Sequence, residues 1–165
     1  MALNMALNIA VIGAGIMGSA IAMRLLETGQ RVTVSDLDAA KVAALVEKGA
    51  SAAISVSETV RDSDFVILSL NHADIVRAVV FGKNGVSDSA NSSKLLIDMS
   101  SIDPKDTADM ASRLRAETGM AWVDCPLSGG VPGALAGRLT IMAGGAAGDF
   151  ERARAVMKHL AANYT

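Results

Sequence analysis

Ile9-Ala10-Val11-Ile12-Gly13-Ala14-Gly15-Ile16-Met17-Gly18 is the stretch from which the rest of the chain can be read. A short apolar run ends in G-x-G-x-x-G, and a segment rich in Ala and Leu at helical spacing follows, giving the order strand, glycine loop, helix. In that order each glycine has a task. Gly13 makes the tight turn, Gly15 lets the backbone approach a pyrophosphate, and Gly18 lets the helix lie close on the strands. Ile16 and Met17 complete the loop, and the free N–H groups and dipole of the helix start favour phosphate. Asp36 stands eighteen residues beyond Gly18, directly after the apolar run Val32–Ser35. A carboxylate there would accept hydrogen bonds from an adenosine ribose and disfavour a 2′-phosphate, so NAD is expected over NADP. Asp36 and Asp38 compete for this role and for capping the next helix.

Working outward, short apolar runs alternate with longer segments of helical period. Strands are predicted over 9–12, 32–35, 65–70, 95–99, 122–125 and 139–143, and helices over 17–28, 39–48, 73–80, 104–117 and 149–160. Alternation of this kind indicates βαβ units, hence the α/β class with a Rossmann-type doubly wound, mostly parallel sheet. Gly29 and Gly49 follow periodic segments as left-handed caps do, and Asp103-Pro104 reads as an N-cap followed by a first helical residue. The opening Met1-Ala2-Leu3-Asn4 is repeated as Met5-Ala6-Leu7-Asn8. Residues 1–8 are therefore set apart as a duplicated start or expression scar, and 9–165 as one nucleotide-binding domain.

Composition narrows the partners. A net charge of −2 with 3% aromatics and no basic block argues against nucleic acid and against an anionic membrane surface. No apolar run reaches the roughly 18 residues of a spanning helix, and no signal peptide opens the chain, so a cytoplasmic protein with a small-molecule partner is expected. Cys125, the single cysteine, has no metal-ligand spacing around it and reads as a small buried hydrophobe. No metal site is expected. His72, Lys158 and His159 read as surface residues, because nothing at motif distance orients them.

A later segment is more distinctive: Asp124-Cys125-Pro126-Leu127-Ser128-Gly129-Gly130-Val131-Pro132-Gly133-Ala134, continued by Gly137-Arg138-Leu139-Thr140-Ile141-Met142-Ala143-Gly144-Gly145. Together with the loop carrying Met17, with Leu70-Asn71 and with Asp98-Met99-Ser100-Ser101-Ile102-Asp103-Pro104, it resembles the β-hydroxyacid dehydrogenase family. That family includes 3-hydroxyisobutyrate dehydrogenases and has a 6-phosphogluconate dehydrogenase-type NAD-binding domain. The resemblance implies that Gly13, Gly15, Ile16, Met17 and Gly18 hold the pyrophosphate, Asp36 the ribose, and Leu70 and Asn71 the cofactor. It places Ser101 beside both nicotinamide and substrate, and Ser128, Gly129 and Gly130 on the substrate carboxylate. A serine hydroxyl with successive glycine amides suits an anion chemically. Ala14, Ile21 and Asn71 depart from residues frequent in the family.

The resemblance further implies an NAD-dependent oxidoreductase acting on the carbinol carbon of a small 3-hydroxy acid. The family's acid/base lysine and its all-helical second domain, through which members associate into homo-oligomers, are expected beyond Thr165. The expectation is then that this chain holds no catalytic residue and is inactive alone. An imine reductase and a non-catalytic NAD-binding or interaction module remain as alternatives, and the particular hydroxy acid stays open.

Overall fold

The computed structural model describes residues 5–165, so the first copy of the opening repeat lies outside the described residues. Strands β1 (Asn8–Ile12), β2 (Arg31–Ser35), β3 (Ser51–Ala52), β4 (Phe65–Leu68), β5 (Leu95–Asp98) and β6 (Ala121–Asp124) form one sheet in the order β3-β2-β1-β4-β5-β6. Every pairing in it is parallel. The order reverses between β1 and β4, the switch point of a doubly wound fold. The sheet opens at Asn8, and Leu7 packs against the core with its N–H on Gln30 Oε1 at 2.8 Å, so the second copy of the repeat takes part in the fold.

Side chains along each strand alternate between two cores. Ile9, Val11, Ile67, Ile97 and Val123 enter one, while Ala10, Ile12, Val66, Leu68, Leu96 and Trp122 enter the other. A sheet covered on both faces needs apolar residues at consecutive positions, which is why its strands read as unbroken runs. Helices α1 (Ile16–Glu27), α2 (Ala39–Val46), α6 (Gly130–Ala136) and α7 (Ala147–Leu160) cover the first face. Helices α3 (Val56–Arg61), α4 (Ala73–Phe81) and α5 (Pro104–Thr118) cover the second. Gly29 and Gly49 take the left-handed conformation at φ 84° and 109°, and Asp103 caps α5 by accepting from Lys105 N at 2.8 Å. Among the described residues no helix is long and apolar enough to cross a membrane.

Three features depart from the sequence expectation. The run 139–143, read as one more strand of the alternating pattern, is instead the centre of a separate small sheet. There β7 (Leu127–Ser128), β8 (Leu139–Ile141) and β9 (Ala161–Tyr164) lie in the order β7-β8-β9. The two turns of α6 end at left-handed Gly137 (φ 66°), so the chain doubles back and β8 pairs antiparallel with β7. Asp124 and Gly144 then exchange N–H···O bonds of 2.8 Å that tie this unit to the end of β6. β9 lies beyond the last predicted helix, and α3 and β3 lie in a stretch for which no element is predicted.

Candidate functional site

The glycine loop joins the carboxyl end of β1 to α1 and is clamped from the end of β2. Gly13 N donates to the Ser35 carbonyl at 3.0 Å, and Ala14 N donates to Asp36 Oδ2 at 2.7 Å. The other Asp36 oxygen accepts from Asp38 N at 2.8 Å, while Asp38 itself caps α2 through Ala40 N at 3.0 Å. Of the two aspartates, Asp38 caps α2 and Asp36 faces the glycine loop. A carboxylate has about four lone-pair directions, so Asp36 retains acceptor capacity beyond its two backbone donors.

The three glycines differ in what demands them. A Cβ at Gly13, whose φ is 97°, would stand 2.3 Å from the Ser69 carbonyl oxygen, and one at Gly18 would stand 1.9 Å from that of Gly13. The protein's own packing requires both. Gly15 has φ −68° and a Cβ there would meet nothing within 4 Å, so nothing inside the protein forbids a side chain. Gly15 is also the N-cap of α1, with no side-chain cap and no acid in the first turn; the first amide satisfied in the helix is Ser19 N, on Gly15 O at 2.9 Å. Free amides, a positive dipole end and open space form a cradle for an anion such as a pyrophosphate. Ile16 is exposed at its mouth, while Met17 packs on the core.

Beside this cradle opens a cavity of about 600 Å³, with Asp36 and Leu37 on one wall, Ile54 and Ile75 on others, and the Lys83–Gly85 turn at its far rim. Leu37 and Ile54 are almost wholly bare, an unusual cost in water for large apolar side chains and one suited to sandwiching a planar ring. The sequence reading missed Ile54 and Lys83. A signal for Ile54 existed: Ser55-x-x-Glu58 is a capping pattern, with Glu58 N on Ser55 Oγ at 3.1 Å and Ile54 N on Glu58 Oε2 at 2.8 Å. At the rim, Asn84 sits at φ 56° and its carbonyl accepts from Ser57 N at 2.8 Å, which holds the turn against α3.

The other half of the edge follows β4, β5 and β6. Leu70 is half-buried, Asn71 exposed, and Leu70 N donates to Ser100 Oγ at 3.1 Å. Ser101 is exposed just past β5; Ser128 is exposed at the end of β7, with Gly129 (φ 128°) and Gly130 (φ 61°) opening α6. Asp98 and Asp124 are register partners at the ends of β5 and β6, so the segments bearing Ser101 and Ser128 leave the same edge of adjacent strands. Asp98 is fully buried, and burial pushes its carboxyl up to about 6 against the pull of Ser100, whose N–H it accepts at 2.9 Å, and with a small push from Asp124. Burial also raises Asp124.

Of the remaining candidates, His72 follows Asn71 on this edge, Lys158 and His159 lie late in α7, and Cys125 is inert. Burial drives the Cys125 thiol to about 12, which suits a structural, unreactive side chain. His72 is exposed at the start of α4 and caps nothing with its side chain, and Lys158 is exposed late in α7. His159 is held below the usual histidine value by burial, with Lys158 and Arg24 adding to the effect, while its carbonyl accepts from Arg24 Nε at 3.0 Å. Among the described residues no group of three metal-ligating side chains assembles.

A doubly wound parallel sheet with an uncapped glycine cradle at its switch point defines a dinucleotide-binding domain. Within that class, the chain belongs to the family of the NAD binding domain of 6-phosphogluconate dehydrogenase, which matches residues 8–165. It is 40% identical over 151 residues to a 2-(hydroxymethyl)glutarate dehydrogenase of Eubacterium barkeri, covering 92% of this chain and 50% of that one. It is 38% identical over 149 residues to a 3-sulfolactaldehyde reductase of Escherichia coli, covering 90% and 50%. Among solved structures, a 3-hydroxyisobutyrate dehydrogenase of Mycobacterium tuberculosis with L-serine superposes with a TM-score of 0.88 at 30% identity, covering 96% and 53%. An imine reductase variant from Myxococcus stipitatus in complex with NAD+ gives 0.86 at 25%, covering 95% and 53%. The chain thus spans about half the length of the curated relatives it matches.

Proposed function

We propose that this chain binds NAD along the carboxyl edge of its sheet and is the nucleotide-binding unit of an oxidoreductase for small 3-hydroxy acids. The observation that carries the reading is the open Cβ direction at Gly15, above free α1 amides and next to Asp36. The residues present fit the cofactor: Gly13, Gly15 and Gly18 with Ile16 and Met17 shape the pyrophosphate cradle, and Asp36 offers its spare lone pairs to the ribose diol. Leu37, Ile54 and Ile75 flank the adenine, while Leu70, Asn71 and Ser101 border the nicotinamide.

When bound, the nicotinamide supplies hydride chemistry; the protein's part is to orient the reacting carbons and exclude water. Ser128 and the Gly129 and Gly130 amides are assigned to the carboxylate of the hydroxy acid, with Ser101 between it and the cofactor. Relatives named for hydroxy-acid dehydrogenase and aldehyde reductase chemistry support this substrate class. None of Lys158, His159 and His72 is oriented as an acid/base group, so the 165-residue chain by itself is expected to bind cofactor without turning over hydroxy acids.

The test is a pair of titrations and an assay. NADH should bind more tightly than NADPH, because a carboxylate at Asp36 repels a 2′-phosphate; equal or tighter NADPH binding overturns the choice of cofactor. NADH production from 3-hydroxyisobutyrate, glycerate, threonate or serine should be absent, and turnover of about 1 s⁻¹ or more would place a catalytic group inside this chain.

A further inference from the structure

Asp98 is a carboxylate held where a carboxylate is costly. It is fully buried at the end of β5, one of its oxygens has no partner, and no cation pairs with it among the described residues. The titratable groups facing it come from β6 and the residue after it, Asp124 and Cys125, and neither brings a positive charge. An unpaired charge so placed opposes folding, and positions of this kind are retained where a geometry depends on them.

The geometry at stake is a chain of hydrogen bonds. Asp98 Oδ1 accepts from Ser100 N at 2.9 Å, and Ser100 Oγ accepts from Leu70 N at 3.1 Å. Ser100 is thereby held from two sides, its N–H by Asp98 and its hydroxyl oxygen by Leu70. The backbone around it is anchored on both sides, with Met99 N on the Leu68 carbonyl at 2.9 Å and Cys125 N on the Asp98 carbonyl at 2.7 Å. The link therefore joins the segments that leave β4 and β5, and the Leu70 side chain lies against the turn at Gly13.

We propose that Asp98, acting through Ser100, is a positioning residue that fixes Leu70–Asn71 and Ser101 relative to each other along the nicotinamide half of the cleft. The proposal rests on the NAD reading of that cleft. Asp98→Ala removes the acceptor of Ser100 N and leaves the Ser100 hydroxyl in place. Ser100→Ala removes the link outright and leaves Asp98 in place.

The test compares a ligand that spans the whole cleft with one that fills only the adenosine half. NADH is titrated by energy transfer from Trp122, the single tryptophan, and AMP by calorimetry, at pH 7.5 on the 165-residue chain and both variants. A lost hydrogen bond of about 1 kcal/mol corresponds to roughly five-fold in Kd. NADH should weaken by about that factor or more in each variant, with a changed emission of the bound nicotinamide, while AMP holds within about two-fold. Equal weakening of NADH and AMP would mark a purely structural role and overturn the proposal, as would NADH affinity and emission unchanged in both variants. Failure of the unaltered chain to bind NADH would bring down the cofactor reading and this proposal together, an outcome distinct from the other two.

Discussion

The two halves of the cleft are built differently. The half proposed for the adenosine is a half-open cavity of about 600 Å³ lined by the ends of β1 and β2, the residues before α3, and α4. Along the other half, Asn71, Ser101, Ser128, Gly129 and Gly130 all lie exposed at the edge of the sheet. Binding energy from a remote part of a ligand can be used to hold a reacting part in place. The cavity half should accordingly carry most of the cofactor affinity, and the open half should carry orientation.

The largest effect expected from this division is at the loop where the halves meet. Gly15→Val should abolish detectable NADH binding, more than about 100-fold, because its side chain enters the space left for the pyrophosphate. Circular dichroism and the melting temperature should barely change, since no protein atom lies within 4 Å of the Cβ position. Gly18→Ala offers the contrast: its Cβ would lie 1.9 Å from the Gly13 carbonyl oxygen, so the fold itself should lose stability. A folded Gly15→Val protein that still binds NADH would separate the loop from the cofactor.

Next in size is Asp36→Ala. Loss of a charge-assisted hydrogen bond is worth about 1.5–3 kcal/mol, or roughly ten- to hundred-fold in NADH affinity. NADPH should lose far less, so the preference between the two should narrow in parallel titrations. Some of the NADH loss will come from the loop, because Asp36 also holds Ala14 N at 2.7 Å. NADPH weakened as much as NADH would assign Asp36 to the clamp alone.

How legible each half was follows from the kind of signal that encodes it. The glycine loop, Asp36, the caps at Asp103 and Gly29 and five of the six main strands are local patterns, and short-range periodicity and turn chemistry give them away. β3, with two residues, and α3, with six, are too short for a period to form, although Ser55 and Glu58 left a capping pattern. The small sheet was illegible for another reason: β7 and β9 acquire their strand character only by pairing with β8, across more than ten residues of chain in each case. Asp98 and Lys94 show the same limit. No local pattern marks either charge as buried, yet Lys94 is buried, giving its ammonium to the carbonyls of Val60, Arg61 and Ser63 at 3.0, 2.8 and 2.6 Å.

A smaller and pH-dependent effect belongs to the junction between β5 and the open half. Asp98 is raised from 3.8 to about 6 by burial, so its contribution to stability is complete below the unfolded value of 3.8 and is lost as pH rises through 6. At about 1.4 kcal/mol per unit the swing is on the order of 3 kcal/mol. Asp98→Asn has no charge to bury, so its stability relative to the unaltered chain should improve between pH 4 and pH 7.5. Urea unfolding at the two pH values measures the difference, and a gap independent of pH would mean that the carboxylate is not strained by its site.

The smallest effect sharpens the comparison most, because it asks the open half to be irrelevant to cofactor affinity. Ser128 is exposed at the end of a two-residue strand, and none of its side-chain atoms takes part in a hydrogen bond recorded for the described residues. Its removal should therefore leave stability within about 0.5 kcal/mol. If the hydroxyl serves the carboxylate of a hydroxy acid, Ser128→Ala should leave the Kd for NADH within about two-fold while weakening a substrate contact worth about 1.5–3 kcal/mol. Ligand-observed NMR of 3-hydroxyisobutyrate with the NAD-saturated chain reads the second quantity, since it detects weak binding without turnover. A signal that disappears in the variant while NADH titrates normally would separate the two halves of the cleft by function as well as by shape. A drop in NADH affinity with the hydroxy-acid signal intact would move Ser128 onto the cofactor and extend the dinucleotide's footprint across β6.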